Sequence, residues 1–147
     1  MTWRRIGLGL VVAFVLAQLV PVARTNPPGP GEITTPMEID GILQRACYDC
    51  HSNDTRWPWY AWVAPASWLV AWDVRHARGH LNFSAWEQYE PKKKRHKLEE
   101  LVEMIEEDEM PLWYYRPLHP DAKLADAERE QLIAWAKAER ARLATAQ

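Results

Sequence analysis

The chain is 147 residues long, carries 18 Lys and Arg against 20 Asp and Glu, and contains only two cysteines. That length allows one small folded unit plus a targeting element, and two cysteines exclude a four-cysteine zinc site. Setting aside Arg4, Arg5 and Arg24 of the N-terminal segment leaves 15 basic and 20 acidic residues, a net charge of −5, which argues against nucleic acid, since that demands a basic face.

Arg4 and Arg5 precede an apolar stretch from Ile6 to Ala23, interrupted only by Gln18 and Pro21. A positive n-region followed by an h-region reads as an export signal. Cleavage after Ala23 would put Pro21 at the −3 position, where a small residue is preferred. Residues 1–24 are therefore read as an uncleaved signal-anchor or transmembrane helix, near the short end for crossing a bilayer, with a cleaved signal peptide as the alternative. Both place the rest of the chain on the periplasmic side. Residues 25–35 contain Asn-Pro-Pro-Gly-Pro-Gly, which cannot form a helix or a central strand, and are expected to be a semi-rigid spacer lifting the domain off the membrane.

The folded domain is expected over residues 36–145. Thr35, Pro36 and Glu38 read as N-cap, N1 and N3 of a capping box, and Ile39, Ile42, Leu43 and Ala46 recur at helical spacing, so a helix is predicted over 36–47. It runs straight into Cys47-Tyr48-Asp49-Cys50-His51. Two thiols three positions apart, with an imidazole directly after the second, is the attachment pattern of a c-type haem. The spacing suits thioether formation with the two vinyl groups, and the next residue can offer a neutral imidazole to the iron. A bare Cys-x-x-Cys is also compatible with a redox dithiol or half of a zinc site.

Arg56, Trp57 and Trp59 follow closely, and their expected places are at the cofactor, with Trp57 or Trp59 against its edge and Arg56 pairing a propionate. The alternative is that the nine tryptophans serve as core and rim aromatics. Pro65 is expected to open a second helix ending near Arg78, stopped by Gly79. His76 and His80 are four apart, though Gly79 weakens the helix between them; they are read as surface histidines or hydrogen-bond donors to a propionate or backbone carbonyl, with a second metal site as the alternative. Ser84 and Glu87 read as another capping box, opening a short helix that Pro91 ends. From Pro91, the stripe Leu98, Leu101, Val102 and Ile105 predicts a helix that is basic at its start and acidic at its end. That charge order opposes the macrodipole, so packing must hold it. The Lys92–Lys97 run is read as a solvated face or, alternatively, a docking patch for an acidic partner or lipid headgroups.

Met110, followed by Pro111, is the first candidate for the distal iron ligand, because a thioether is a soft donor that raises the reduction potential. His80, then His119 and His96, come next. The alternative for Met110 is a gap-filling core residue. A last helix is expected from the N-cap Asp126, with Leu132, Trp135, Ala136 and Leu143 in its apolar stripe and residues 36–47 as its packing partner.

The runs C-Y-D-C-H-S-N, T-R-W-P-W-Y, V-A-P-A-S-W-L-V, H-L-N-F-S-x-W, D-E-M-P, W-Y-Y and L-H-P-x-A-x-L together resemble the monohaem c-type family usually called the haem-binding domain family. The resemblance covers about residues 33–140. It implies an all-α, cytochrome c-like domain around one covalent haem c. It further implies that Cys47 and Cys50 are the thioether sites, His51 the proximal ligand and Met110 the distal candidate. Leu112 stands where a second proline is common in such proteins. The leading functional expectation is a membrane-anchored periplasmic electron carrier rather than an enzyme, exchanging electrons with periplasmic or membrane redox proteins. The alternatives are a haem sensor or small haem enzyme with a labile distal position, and a Cys47–Cys50 dithiol oxidoreductase.

Overall fold

The computed structural model describes residues 2–145. Six α-helices are joined by short 3-10 turns, and among the described residues the nearest approach to a sheet is one isolated bridge between Gly31 and Ala85. The domain is all-α.

Helix α1, Thr2–Ala17, is apolar and has no buried residue. At about 1.5 Å per residue its 16 residues reach about 24 Å, short of the ~30 Å hydrocarbon core. No helix among the described residues is long and apolar enough to cross a membrane, so the expected transmembrane helix is not found. The apolar run breaks at Gln18, whose side chain turns back onto the domain. Its Nε2 donates to the carbonyls of Phe14 and Ala64 at 2.9 and 3.3 Å, and its Oε1 accepts from the Ala64 amide at 2.9 Å.

Residues 25–35 correct the expectation of a spacer. The segment is laid along the domain, with Gly31 N–H donating to Ser84, Ile33 N–H to Phe83, and Glu87 N–H to Gly31. Its glycines are there for closeness. A Cβ on Gly29 would lie 2.5 Å from the Ser84 carbonyl oxygen, a contact that only glycine avoids. Arg78 ties the same segment to the chain after His51, donating to the carbonyls of Thr25 and Ser52 and to the Thr55 hydroxyl.

Helix α2, Met37–Ala46, begins one residue later than expected: Pro36 is the N-cap and no side chain caps it, so the Thr35 capping box does not form. It buries Ile39, Ile42, Leu43 and Ala46, and leads through Cys47 into the single turn α3, Tyr48–His51. Helix α4, Ala66–His80, carries Gly79 within its last turn and ends after His80. Ser84 does not open a helix either. Its hydroxyl accepts from the Asn53 amide, and only a 3-10 turn forms at Trp86–Gln88.

Helix α5, Pro91–Glu106, and helix α6, Asp126–Thr145, pack antiparallel. Helix α6 therefore lies chiefly on α5 and only secondarily on α2, which corrects the expected partner. The charges match along this contact. The acidic half of α5 meets the basic side chains of α6: Glu99 pairs with Arg140, Glu106 with Lys137, and Asp108, just past the helix, with Arg129. Each such exposed pair is worth at most about 1 kcal/mol, but together they offset the unfavourable charge order of α5. Leu98, Val102, Ile105, Leu132 and Ala136 form the interface and join α2, Tyr48, Phe83 and Trp86 in one core. Of the nine tryptophans, Trp86 is in that core, while Trp59, Trp62 and Trp113 are more than 60% exposed.

Candidate functional site

Between α3, α4, α5 and the segment 110–115 lies a cavity of about 510 Å³ with a predominantly apolar wall. That volume is within the range of small-molecule and cofactor sites, about 300–1,000 Å³. Cys47, Cys50, His51 and Met110 all line it. Residues 59 positions apart in the chain are thus brought to one space.

His51 is held from behind. A backbone carbonyl can only accept, so the 3.0 Å contact between His51 Nδ1 and the Leu81 oxygen makes Nδ1 the protonated nitrogen. The Nε2 lone pair is then left for a metal, the arrangement usual for ligating imidazoles. The Phe83 amide donates to the His51 carbonyl at 2.7 Å, and the Phe83 ring meets the imidazole edge-on at 6.5 Å between centroids. Burial lowers the His51 pKa, which favours the neutral ring.

Burial pushes the thiols of Cys47 and Cys50 up to about 12. A disulfide oxidoreductase needs a thiol that ionises near or below neutrality, and burial against apolar walls disfavours that thiolate, so the two cysteines suit the dithiol reading poorly. Both are free rather than bridged. No group of three or more His, Cys, Asp or Glu among the described residues could hold a metal ion, which removes the support for a zinc site. A haem would ask for something else: an imidazole and a further donor for its iron, apolar walls and, where it is attached covalently, two thiols. The residues present fit that requirement.

Met110 reaches the cavity because of how α5 ends. Asp108 adopts a left-handed conformation, φ 56°, and its amide donates to Ile105 while the Glu109 amide donates to Met104. These are the two bonds of a Schellman motif, which reverses the chain directly before Met110. The Asp108 carboxylate is clasped by Arg116 and Arg129, fixing the loop from outside. Met104 also lines the cavity.

Among the histidines considered for the distal face, only His80 lines the cavity. His119 is stacked on Tyr115 at 3.9 Å and hydrogen-bonded to the Tyr60 hydroxyl, and His96 is paired with Glu100. His76 also borders the cavity, with its ring stacked on Trp72 at 4.5 Å and 5.1 Å from His80.

Arg56, Trp57 and Trp59 are not brought to the cavity. The Arg56 side chain is 69% exposed and makes a two-point contact with Asp49, its Nε and Nη2 lying 3.0 and 3.1 Å from the carboxylate. Trp59 stands out into solvent. The single tryptophan on the cavity is Trp72. What the motif reading missed is Asp49 itself. It accepts from Arg56 and from the Tyr115 hydroxyl at 2.9 Å, so it fastens the Cys47–His51 turn to the segment that follows Met110. The signal was its place inside the motif, but its partners are 7 and 66 residues away.

An all-α domain with this set of side chains around one apolar cavity fits a haem-binding protein. The model of the family described as the haem-binding domain matches residues 12–138, and the chain belongs to that family. Neither the curated proteins nor the solved structures compared with it give a match.

Proposed function

We propose that the protein is a periplasmic c-type cytochrome that carries one covalent haem and passes single electrons between redox proteins. The observation that carries this reading is the meeting of Cys47, Cys50, His51 and Met110 on one apolar cavity. Bound haem supplies the one-electron chemistry. The chain does the rest: Cys47 and Cys50 hold the ring by thioethers, the Leu81 carbonyl orients His51, Met110 offers its sulfur, and the apolar walls keep water away. The domain's net charge of −5 beyond the N-terminal segment favours partners with a positive docking patch.

The test is optical. Purified from cells with haem-attachment machinery, the protein is expected to be low-spin in both oxidation states, to show a far-red sulfur–iron band when oxidised, and to ignore carbon monoxide. High-spin iron that binds carbon monoxide would instead mark a sensor or small haem enzyme. That second reading draws support from His80 and Met104, which line the same cavity and give the distal side more than one arrangement.

The same proposal places the domain at the inner membrane, attached through its apolar N-terminal segment. Trp3 and the exposed aliphatic face of α1 support this, as do Trp59 and Trp62 at 76% and 62% exposure, since tryptophan favours the membrane–water interface. Arg24 lies 4.1 Å over the Trp62 ring and donates to the Ala61 carbonyl, which links those aromatics to the N-terminal segment. Full-length protein is expected to float with phospholipid vesicles, and a chain lacking residues 2–20 to remain in the soluble fraction. Equal flotation of both would remove α1 as the attachment.

A further inference from the structure

The cavity wall includes one lysine or arginine, Lys97 of α5. It is 7% exposed, among the most buried polar residues of the domain. Its ammonium donates to the His80 carbonyl and lies 5.3 Å over the Tyr89 ring. No carboxylate among the described residues forms a salt bridge with it, although Glu100 also borders the cavity. By contrast, Lys94 in the same helix has its own partner in Glu87. A buried cation held by a carbonyl and a ring face, with Glu100 acting on it only through space, is costly, because removing an ammonium from water is repaid only by an anion in good geometry.

Haem carries carboxylates into this space, and an apolar cavity receiving an anion needs a cation at its wall. We propose that Lys97 is the propionate partner, the role that Arg56, bound outside the cavity to Asp49, does not fill. The assignment rests on the haem reading above. Lys97 forms an ion pair with one haem propionate, and in doing so is the one member of the Lys92–Lys97 run turned from solvent to the cofactor.

Wild type, Lys97→Met and Lys97→Arg are to be coexpressed with haem-attachment machinery and compared at pH 8 by resonance Raman and redox titration. In Lys97→Met the propionate-bending band should move and the midpoint potential should fall, because the cation that favours the more negative reduced haem is gone. Lys97→Arg should keep the potential close to wild type while the band moves, since a forked guanidinium binds a carboxylate differently from an ammonium. A Lys97→Met holoprotein with both readings unchanged overturns the proposal. Should Lys97→Met yield no holoprotein, Lys97→Arg decides: a displaced band supports the pair, and a band coincident with wild type overturns it. Wild type without haem would instead overturn the reading on which the assignment rests.

Discussion

The double variant Cys47→Ala/Cys50→Ala is expected to accumulate without covalent haem and without a cooperative thermal transition. The two thiols are the only groups on the cavity able to form thioethers, so their loss leaves His51 and Met110 to hold a ring by coordination alone. The stability effect follows from the size of the space. An apolar cavity of about 510 Å³ left without its occupant forfeits packing contacts along its walls, a loss set against a whole domain stability of only about 5–15 kcal/mol. Circular dichroism should therefore keep much of the far-ultraviolet helical signal and lose the near-ultraviolet signal of fixed aromatics. A sharp melt at the wild-type temperature would show that the cavity does not need its occupant. Either single variant should retain one thioether and fall between these limits.

Replacing Met110 with alanine is expected to have the second largest effect. The Schellman turn at Asp108 brings this thioether to the cavity, and its removal leaves the iron with His51 as its one remaining proposed ligand. The variant should become high-spin, lose the far-red band and bind carbon monoxide. Its midpoint potential should fall by on the order of 0.1 V, a modest part of the ~0.8 V that axial ligation spans in haem proteins. Because Asp108, Arg116 and Arg129 hold the turn independently of the Met110 side chain, the fold itself should survive. A variant that stays low-spin with an unchanged potential would transfer the ligand role to His80 or Met104.

How much of this was legible in the chain depends on how local the determining contacts are. The Cys47–His51 run, the apolar stripe of α2 and the stripe of α5 are periodic or contiguous signals, and each appears where its pattern puts it. The residues that escaped a linear reading have distant partners. Gly29 reads as a flexible spacer until Ser84, 55 residues on, is seen against it. Arg56 reads as a propionate partner because it follows the motif, yet Asp49 lies within reach first. Lys97 sits in a run of cations whose ordinary explanation is a wet face, and only its contacts with the His80 carbonyl and the Tyr89 ring, 17 and 8 residues back, show it turned inward. Tryptophan abundance misled for a related reason: composition counts rings without saying which side of a helix they occupy. Trp86 is core, Trp72 borders the cavity, and Trp59, Trp62 and Trp113 are left outside. The partner of α6 is α5, whose apolar stripe meets Leu132 and Ala136 and whose acidic end matches the basic side chains of α6.

The central claim is that the Cys47–His51 turn holds haem covalently within the cavity. The most direct measurement is the intact mass of the denatured wild-type chain, made in cells that carry haem-attachment machinery. A species heavier by one haem is expected, with the extra mass on a peptide containing Cys47 and Cys50. A chain of unmodified mass from those same cells, with haem released on denaturation or never bound, would contradict it.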